Sequence, residues 1–289
     1  LSKSTVRKIG FVLPVKTIDL SPFIPPLRST ERGMQEGEVY FMITNFYTRP
    51  ENIRQETLTI NGDEAKHILS VMRYRLGDTI SVVDGCGVRY SVLIEKTSKA
   101  SLQGKILSRI RKENEPACHI TLAQAVCRQE KMDFLIEKAT EIGVSSIIPI
   151  QTERGVVKIS GFPKSKAKTE RWRRIAVASM KQSLRTVLPE IENIATFENL
   201  LSRIKSYDLC LIASLEKDSK KIHDCEEIKR KSRKILLTVG PEAGFAPDEL
   251  SKARLLGAIP ITLGTRRLRA ETAGIVFLSL ILHHLDELG

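Results

Sequence analysis

Five short apolar runs divide the chain after residue 117, and they restrict its fold more than anything else in the sequence. They are HITLAQAV (119–126), SSIIPI (145–150), DLCLIAS (208–214), KILLTV (234–239) and IPITL (259–263). Each is too short for a helix and carries apolar residues on both faces, the pattern of a strand buried from two sides. Between the first two, KMDFLIEKATEIG places Met132, Leu135, Ile136, Ala139 and Ile142 on one helical face, with Gly143 positioned to end the helix. Further helices are predicted over 168–184, around 247–256, and from about 270 onward. Short apolar strands alternating with helices predict an α/β domain, a parallel sheet covered on both faces.

The preceding segment has a different rhythm. TLTI (57–60), TISVVDGCGVRYSVLIEK (79–96) and LQGKILSRI (102–110) read as strands, and Asp84-Gly85 supplies hairpin chemistry. DEAKHILSVMRY sets Ala65, Ile68, Leu69 and Met72 on one face of a helix. The charged RKENEP (111–116) reads as a linker, so a small β-rich domain over 41–113 precedes the α/β domain over 114–289. Residues 1–40 lack acids until Asp19 and are rich in proline and glycine; they read as a loosely ordered basic extension with some character of a targeting leader.

The net charge of +12 points to a polyanionic partner, most simply nucleic acid. No apolar run approaches the roughly 18–20 residues that span a bilayer; the piece from Ala273 to Leu282 is too short. The five cysteines are odd in number and form no C-x-x-C, which argues against a disulfide framework or a zinc site and fits a reducing cytoplasm. Cys127 and Cys210 fall in or beside strand-like runs, where they fill space. The histidines have no metal-ligand spacing, so no metal is expected. The last helix, AGIVFLSLILHHL, is apolar nearly all round at its start. Either a subunit interface or a central position in the core satisfies it; the interface is the preferred reading.

Ligands of open parallel sheets bind beyond the carboxyl ends of strands. Three segments leave such ends: Ser214-Leu215-Glu216, Gly240 to Gly244, and Gly264 to Ala273. The turn GPEAG matches neither the dinucleotide G-x-G-x-x-G nor a P-loop, which needs a lysine after its glycines. Bare backbone without lysine suits a ligand bound through neutral groups, such as an adenosine. A tight strand-to-helix turn, with Glu242 satisfying backbone N–H groups, explains the same five residues on spacing alone. The second turn, LGTRRLRAETAG (263–274), crowds Arg266, Arg267 and Arg269 before a helix whose first turn holds Glu271.

GPEAGF followed by LGTRRLRAETA resembles the carboxy-terminal signature of the RsmE-type 16S ribosomal RNA uridine-N3 methyltransferases of the SPOUT superfamily. HILSVMRYRLGD, EKMDFLIEKATEIGV, IIPIQTERGVV and RWRRIAVASMKQSLRTVLPEI are similar to further blocks of that family, in order, from about Asn45 to the end. The resemblance implies a PUA-like β-barrel for RNA binding followed by a SPOUT domain with a trefoil knot, working as a homodimer. It implies S-adenosyl-L-methionine held by Ser214, Leu215, Gly240, Pro241, Glu242, Ala243, Gly244, Leu263, Gly264, Leu268, Glu271 and Ala273. Glu242 is expected to keep the shape of its turn. Ala243 stands where the family has glycine, and Ala270 where it has threonine. A methyl at Ala243 disfavours a left-handed backbone, with weaker cofactor binding as the expected cost. The missing hydroxyl at Ala270 removes any hydrogen bond carried through it.

On this reading Arg269 and Arg154 are the catalytic candidates, as donors to the uracil carbonyls when N3 loses its proton; phosphate contact is the competing role. No base is assigned. From Arg154 to Arg185 there are ten lysines or arginines and one acid, Glu170. Arg171, Arg173, Arg174 and Arg185 from this stretch, Lys66, Arg73 and Arg75 from the barrel, and Arg128 and Lys131 beside the first strand end are the RNA-binding candidates. Trp172 is read as helix packing in preference to base stacking. Two rival readings stand: a SPOUT enzyme acting on a ribose 2′-hydroxyl, and a non-catalytic RNA-binding or ribosome-assembly factor.

Overall fold

The computed structural model describes residues 44–158, 161–229 and 234–288; the extension expected over 1–40 lies outside them. The first sheet is built from β1 (Asn45–Tyr47), β2 (Thr57–Asn61), β3 (Thr79–Val83), β4 (Val88–Thr97) and β5 (Ser101–Arg111), in the order β1-β3-β4-β5-β2. Only the β1–β3 pair is parallel. Alternate residues of each strand point inward, so Leu58, Ile60, Ile80, Val82, Tyr90, Val92 and Ile94 form one core with Phe46 and Leu102. Asp84 builds the β3–β4 hairpin with its side chain, whose Oδ1 accepts from the N–H groups of Cys86 (2.7 Å) and Val88 (3.1 Å).

The helix of this part begins as α1 (Gly62–Lys66) and continues as one π-helical turn, His67–Val71. Ala65 and Ile68 are buried as the pattern requires, but Met72 is 41% exposed. A π turn holds an extra residue, with Met72 N–H bonded to His67 O at 2.9 Å. Residues beyond it rotate off the predicted face.

The second sheet follows: β6 (His119–Ala125), α2 (Gln129–Ile142), β7 (Ser146–Gln151), α3 (Phe162–Gln182), β8 (Glu190–Ile191), β9 (Ala195–Thr196), α4 (Phe197–Leu201), β10 (Leu209–Ala213), β11 (Lys220–Lys221), β12 (Lys234–Val239), α5 (Pro247–Leu255), β13 (Ile259–Thr262) and α6 (Ala270–His284). Strand order is β11-β13-β10-β12-β6-β7-β8, with β9 also on β7, and these pairs are parallel. Both faces are covered. Leu209 and Leu211 of β10 join the core beneath α2, α3 and α6, while Cys210 and Ile212 join the core beneath α4 and α5. Trp172 is fully buried in the first of these cores, as packing requires.

The two sheets are joined through residues 184–188. Gly87 N–H donates to Thr186 O (3.0 Å) and Leu188 N–H to Gly85 O (2.9 Å), so this segment lies across the β3–β4 hairpin. Glu115, within the expected linker, accepts from Thr186 N–H (2.7 Å), Val187 N–H (2.8 Å) and Arg185 Nη2 (2.7 Å). Arg185 is a correction to the RNA-binding candidates. Its side chain is 3% exposed, and Nη1 also donates to the carbonyls of Thr140 (2.7 Å) and Val144 (3.0 Å). A guanidinium enclosed by these acceptors has no face left for a phosphate.

Candidate active site

β13, β10 and β12 are adjacent and parallel, so the loops leaving their carboxyl ends converge. Together they enclose a cavity of about 360 Å³. Ser214 and Leu215 line it from the loop after β10. Gly240, Pro241, Glu242, Ala243 and Gly244 line it after β12, and Leu263, Gly264 and Leu268 after β13. Ala273 closes it from the first turns of α6, and Arg154 reaches it from the segment after β7. The GPEAG turn is fixed by Gly244 N–H donating to Pro241 O at 2.8 Å. Its left-handed residue is Gly244 (φ 71°), not Ala243, so the strain expected at Ala243 does not arise. Ala270 is buried, and its carbonyl accepts from Gln124 Nε2 at 3.3 Å.

Arg154 donates from Nη1 to Phe245 O (3.2 Å), which lays the guanidinium along the cavity wall. Glu249 ties the same segment to the turn: its carboxylate accepts from Glu153 N–H (2.8 Å) and from Ala246 N–H at the start of α5 (2.9 Å). Arg269 sits exposed at the N-cap of α6, between cavity residues Leu268 and Ala270 but not itself in the wall. Arg266 and Arg267 do line the cavity, and Arg267 Nη2 donates to Glu242 O (2.6 Å). Their crowding is visible in the sequence, but nothing local assigns them to the site.

Two residues lie elsewhere than expected. Glu271 is 7% exposed and is not part of the wall. Lys131 turns inward, with Nζ at 2.9 Å from Glu242 Oε1 and 3.5 Å from Glu271 Oε2. The hydrogen bond from Lys131 holds the Glu242 carboxyl below its ordinary range. Cys127, beside this group, is driven up to about 12 by burial and then by the charges of Glu242 and Glu271.

The RNA methyltransferase domain family matches residues 113–282, and the RNA methyltransferase PUA domain matches residues 60–107. The ribosomal RNA small subunit methyltransferase E of Bacillus subtilis is 31% identical over 78% of this chain and 89% of its own length. The protein of the same name from Mesomycoplasma hyopneumoniae is 35% identical over 65% of this chain and 78% of its own. The chain belongs to the ribosomal RNA small subunit methyltransferase E family. Among solved structures, a ribosomal RNA small subunit methyltransferase E from Neisseria gonorrhoeae bound to S-adenosyl methionine superposes with a TM-score of 0.75. It is 29% identical, covering 84% of this chain and 98% of that one.

Within this methyltransferase E frame the remaining basic candidates spread over several elements. Arg128 is exposed at the N-cap of α2, and its charge acts on the carboxyl of cavity residue Glu242. Arg73 and Arg75 are exposed after the π turn, and Lys66 is exposed with an ion pair to Asp63 (3.2 Å). On α3, Arg171 pairs with Asp133 (2.7 Å) and Arg173 with Glu170 (2.9 Å), while Arg174 is exposed. Such pairs at the surface are weak enough for a phosphate to replace.

Proposed function

We propose that this chain transfers a methyl group from S-adenosyl-L-methionine to N3 of a uridine in small-subunit (16S) ribosomal RNA. The observation that carries this is the convergence of three strand-end loops, two of them rich in small residues, on one cavity with arginines at its edge, in a chain of this family. The residues present fit the cofactor. Gly244 and Gly264 offer left-handed backbone with open space where a Cβ would stand. Leu215, Leu263 and Leu268 supply apolar surface for a purine, and about 360 Å³ falls in the usual small-molecule range.

When bound, S-adenosyl-L-methionine supplies a methyl on a sulfonium, which leaves as a neutral thioether. The protein's share of the chemistry is positioning and charge. The loop backbones orient the donor, and Glu249 and Phe245 O fix the segment that carries Arg154. Arg154 and Arg269 donate to the uracil oxygens, on which negative charge grows as N3 gives up its proton. The PUA-like domain, with Arg73 and Arg75, and the face of α3 with Arg174 hold the RNA backbone.

We further propose a cytoplasmic homodimer, with an α/β domain over 114–289 that carries the family's trefoil knot. α6 supports the dimer: it buries Phe277, Leu278, Ile281 and Leu282 within the chain but leaves Leu280 39% exposed and Ile275 and Val276 half-buried. The decisive experiment incubates the protein with radiolabelled S-adenosyl-L-methionine and unmodified small subunits, followed by nucleoside analysis. Label in 3-methyluridine is the expected result. Label in a ribose-methylated nucleoside, or none at all, overturns the proposal.

A further inference from the structure

Lys131 belongs to none of the loops that form the cavity, yet two of them meet at its ammonium. It stands in the first turns of α2, a helix anchored in the core through Met132, Leu135 and Ile136. From that fixed base Nζ donates to Glu242 Oε1 at 2.9 Å and lies 3.5 Å from Glu271 Oε2. Glu242 is the one carboxylate of the turn after β12, and Glu271 is in the first turn of α6 after β13. Glu271 Oε2 is buried and makes no hydrogen bond among the described residues. Among the described residues the Lys131 ammonium, at 3.5 Å, is the cation that pairs with it, and the N-terminal end of α6 also favours its charge. The other end of Glu242 is also held by a cation, its carbonyl accepting from Arg267 Nη2 at 2.6 Å.

Two carboxylates within reach of one ammonium repel each other once that ammonium is removed. Glu271 is buried, so its interactions are screened less by salt than those of an exposed carboxylate. Resting on the reading that the cavity takes S-adenosyl-L-methionine, the geometry points to Lys131 as a positioning residue. It joins the Gly240–Gly244 turn to the start of α6, and so sets the spacing of two cavity walls. This role differs from the RNA-binding role expected of Lys131 from sequence, because its ammonium is engaged by carboxylates.

The test is calorimetric titration of the full chain with S-adenosyl-L-methionine in the absence of RNA. The forms compared are wild type, Lys131→Met, Lys131→Arg, Glu242→Gln, and the double variant Lys131→Met/Glu242→Gln. Loss of one charge-assisted hydrogen bond is expected to weaken binding about tenfold in Lys131→Met. Lys131→Arg, which can still bridge both carboxylates, is expected to stay within about threefold of wild type. The double variant should bind no more weakly than Lys131→Met, since both substitutions break the same contact and Glu242→Gln also removes the carboxylate repulsion that Lys131→Met unmasks. If wild type binds but Lys131→Met binds equally well, Lys131 has no part in shaping the cavity. If the Lys131 and Glu242 effects multiply, the two act separately and the proposal also fails. Should Lys131→Met not fold, Lys131→Arg and Glu242→Gln still decide: an Arg variant as weak as Glu242→Gln overturns it. Absence of binding by wild type removes the cofactor reading itself, a distinct result.

Discussion

A thiol beside two carboxylates is a poor nucleophile, and Cys127 shows how the site's charges reach its neighbours. Its Sγ donates to Ala125 O at 3.3 Å, and burial with the Glu242 and Glu271 charges holds it at about 12. At pH 8 roughly one molecule in ten thousand then carries a thiolate. Iodoacetamide applied to the native protein at pH 8 should therefore label the exposed Cys86 and spare Cys127, with Cys127 labelled only in denaturant. Peptide mapping that finds both labelled at similar rates in the native state would contradict the enclosed position. The same scale explains what sequence could not reveal about Lys131. Its partner Glu242 is 111 residues away, and nothing in the local pattern of α2 distinguishes a lysine that faces a carboxylate from one that faces solvent.

Among the elements, long periodic or uniformly apolar segments were legible and short ones were not. The runs around β6, β7, β10, β12 and β13 declared themselves because burial on both faces leaves no charged position in the middle of a strand. The three residues of β1 and the five of α4 are too few to display any period. The π turn after Lys66 escaped notice because a change of helical type leaves composition untouched. The loops of the cavity were legible because small residues directly follow buried strands, whereas the fastening of Arg154 by Glu249 depends on a fold-level contact. Gly104 gives this scale its prediction. It sits in β5 opposite Ile94, where an added Cβ would lie 2.7 Å from Leu93 O and would also collide with the side chain of Val92. Neither neighbour can withdraw without moving β4, so Gly104→Ala should destabilise the fold by about 1–3 kcal/mol, measured by urea unfolding. A variant as stable as wild type would show that the β4–β5 ribbon yields more freely than its packing implies.

For the whole molecule the question is where the excess of positive charge is placed. Several basic residues are already paired with acids: buried Arg185 with Glu115, Lys181 with Glu64, and at the surface Arg254 with Glu216 and Asp218. Each such pair cancels within the net charge, so the +12 is the excess of cations over acids that pairing does not remove. Those on the barrel, Arg73 and Arg75, are exposed and far along the chain from the cavity loops. If both contact phosphates, replacing them with glutamine should lower the slope of log affinity for ribosomal RNA against log salt by about 1.4 in magnitude. Filter binding across a salt series measures this, and an unchanged slope places both arginines off the RNA path.

The order of the cavity's parts along the polypeptide has a consequence for biosynthesis. Translation delivers the chain amino end first, and domains fold as they emerge. The strands of the first sheet end at Arg111, while the walls of the cavity come from segments running from Arg154 to Ala273. A nascent chain can thus pair its front strands before the cavity exists, although residues 184–188 must still arrive to cover the β3–β4 hairpin. Capacity to hold a small molecule is gained only when the last strand and the last helix have left the tunnel, so a prematurely terminated product is born inert.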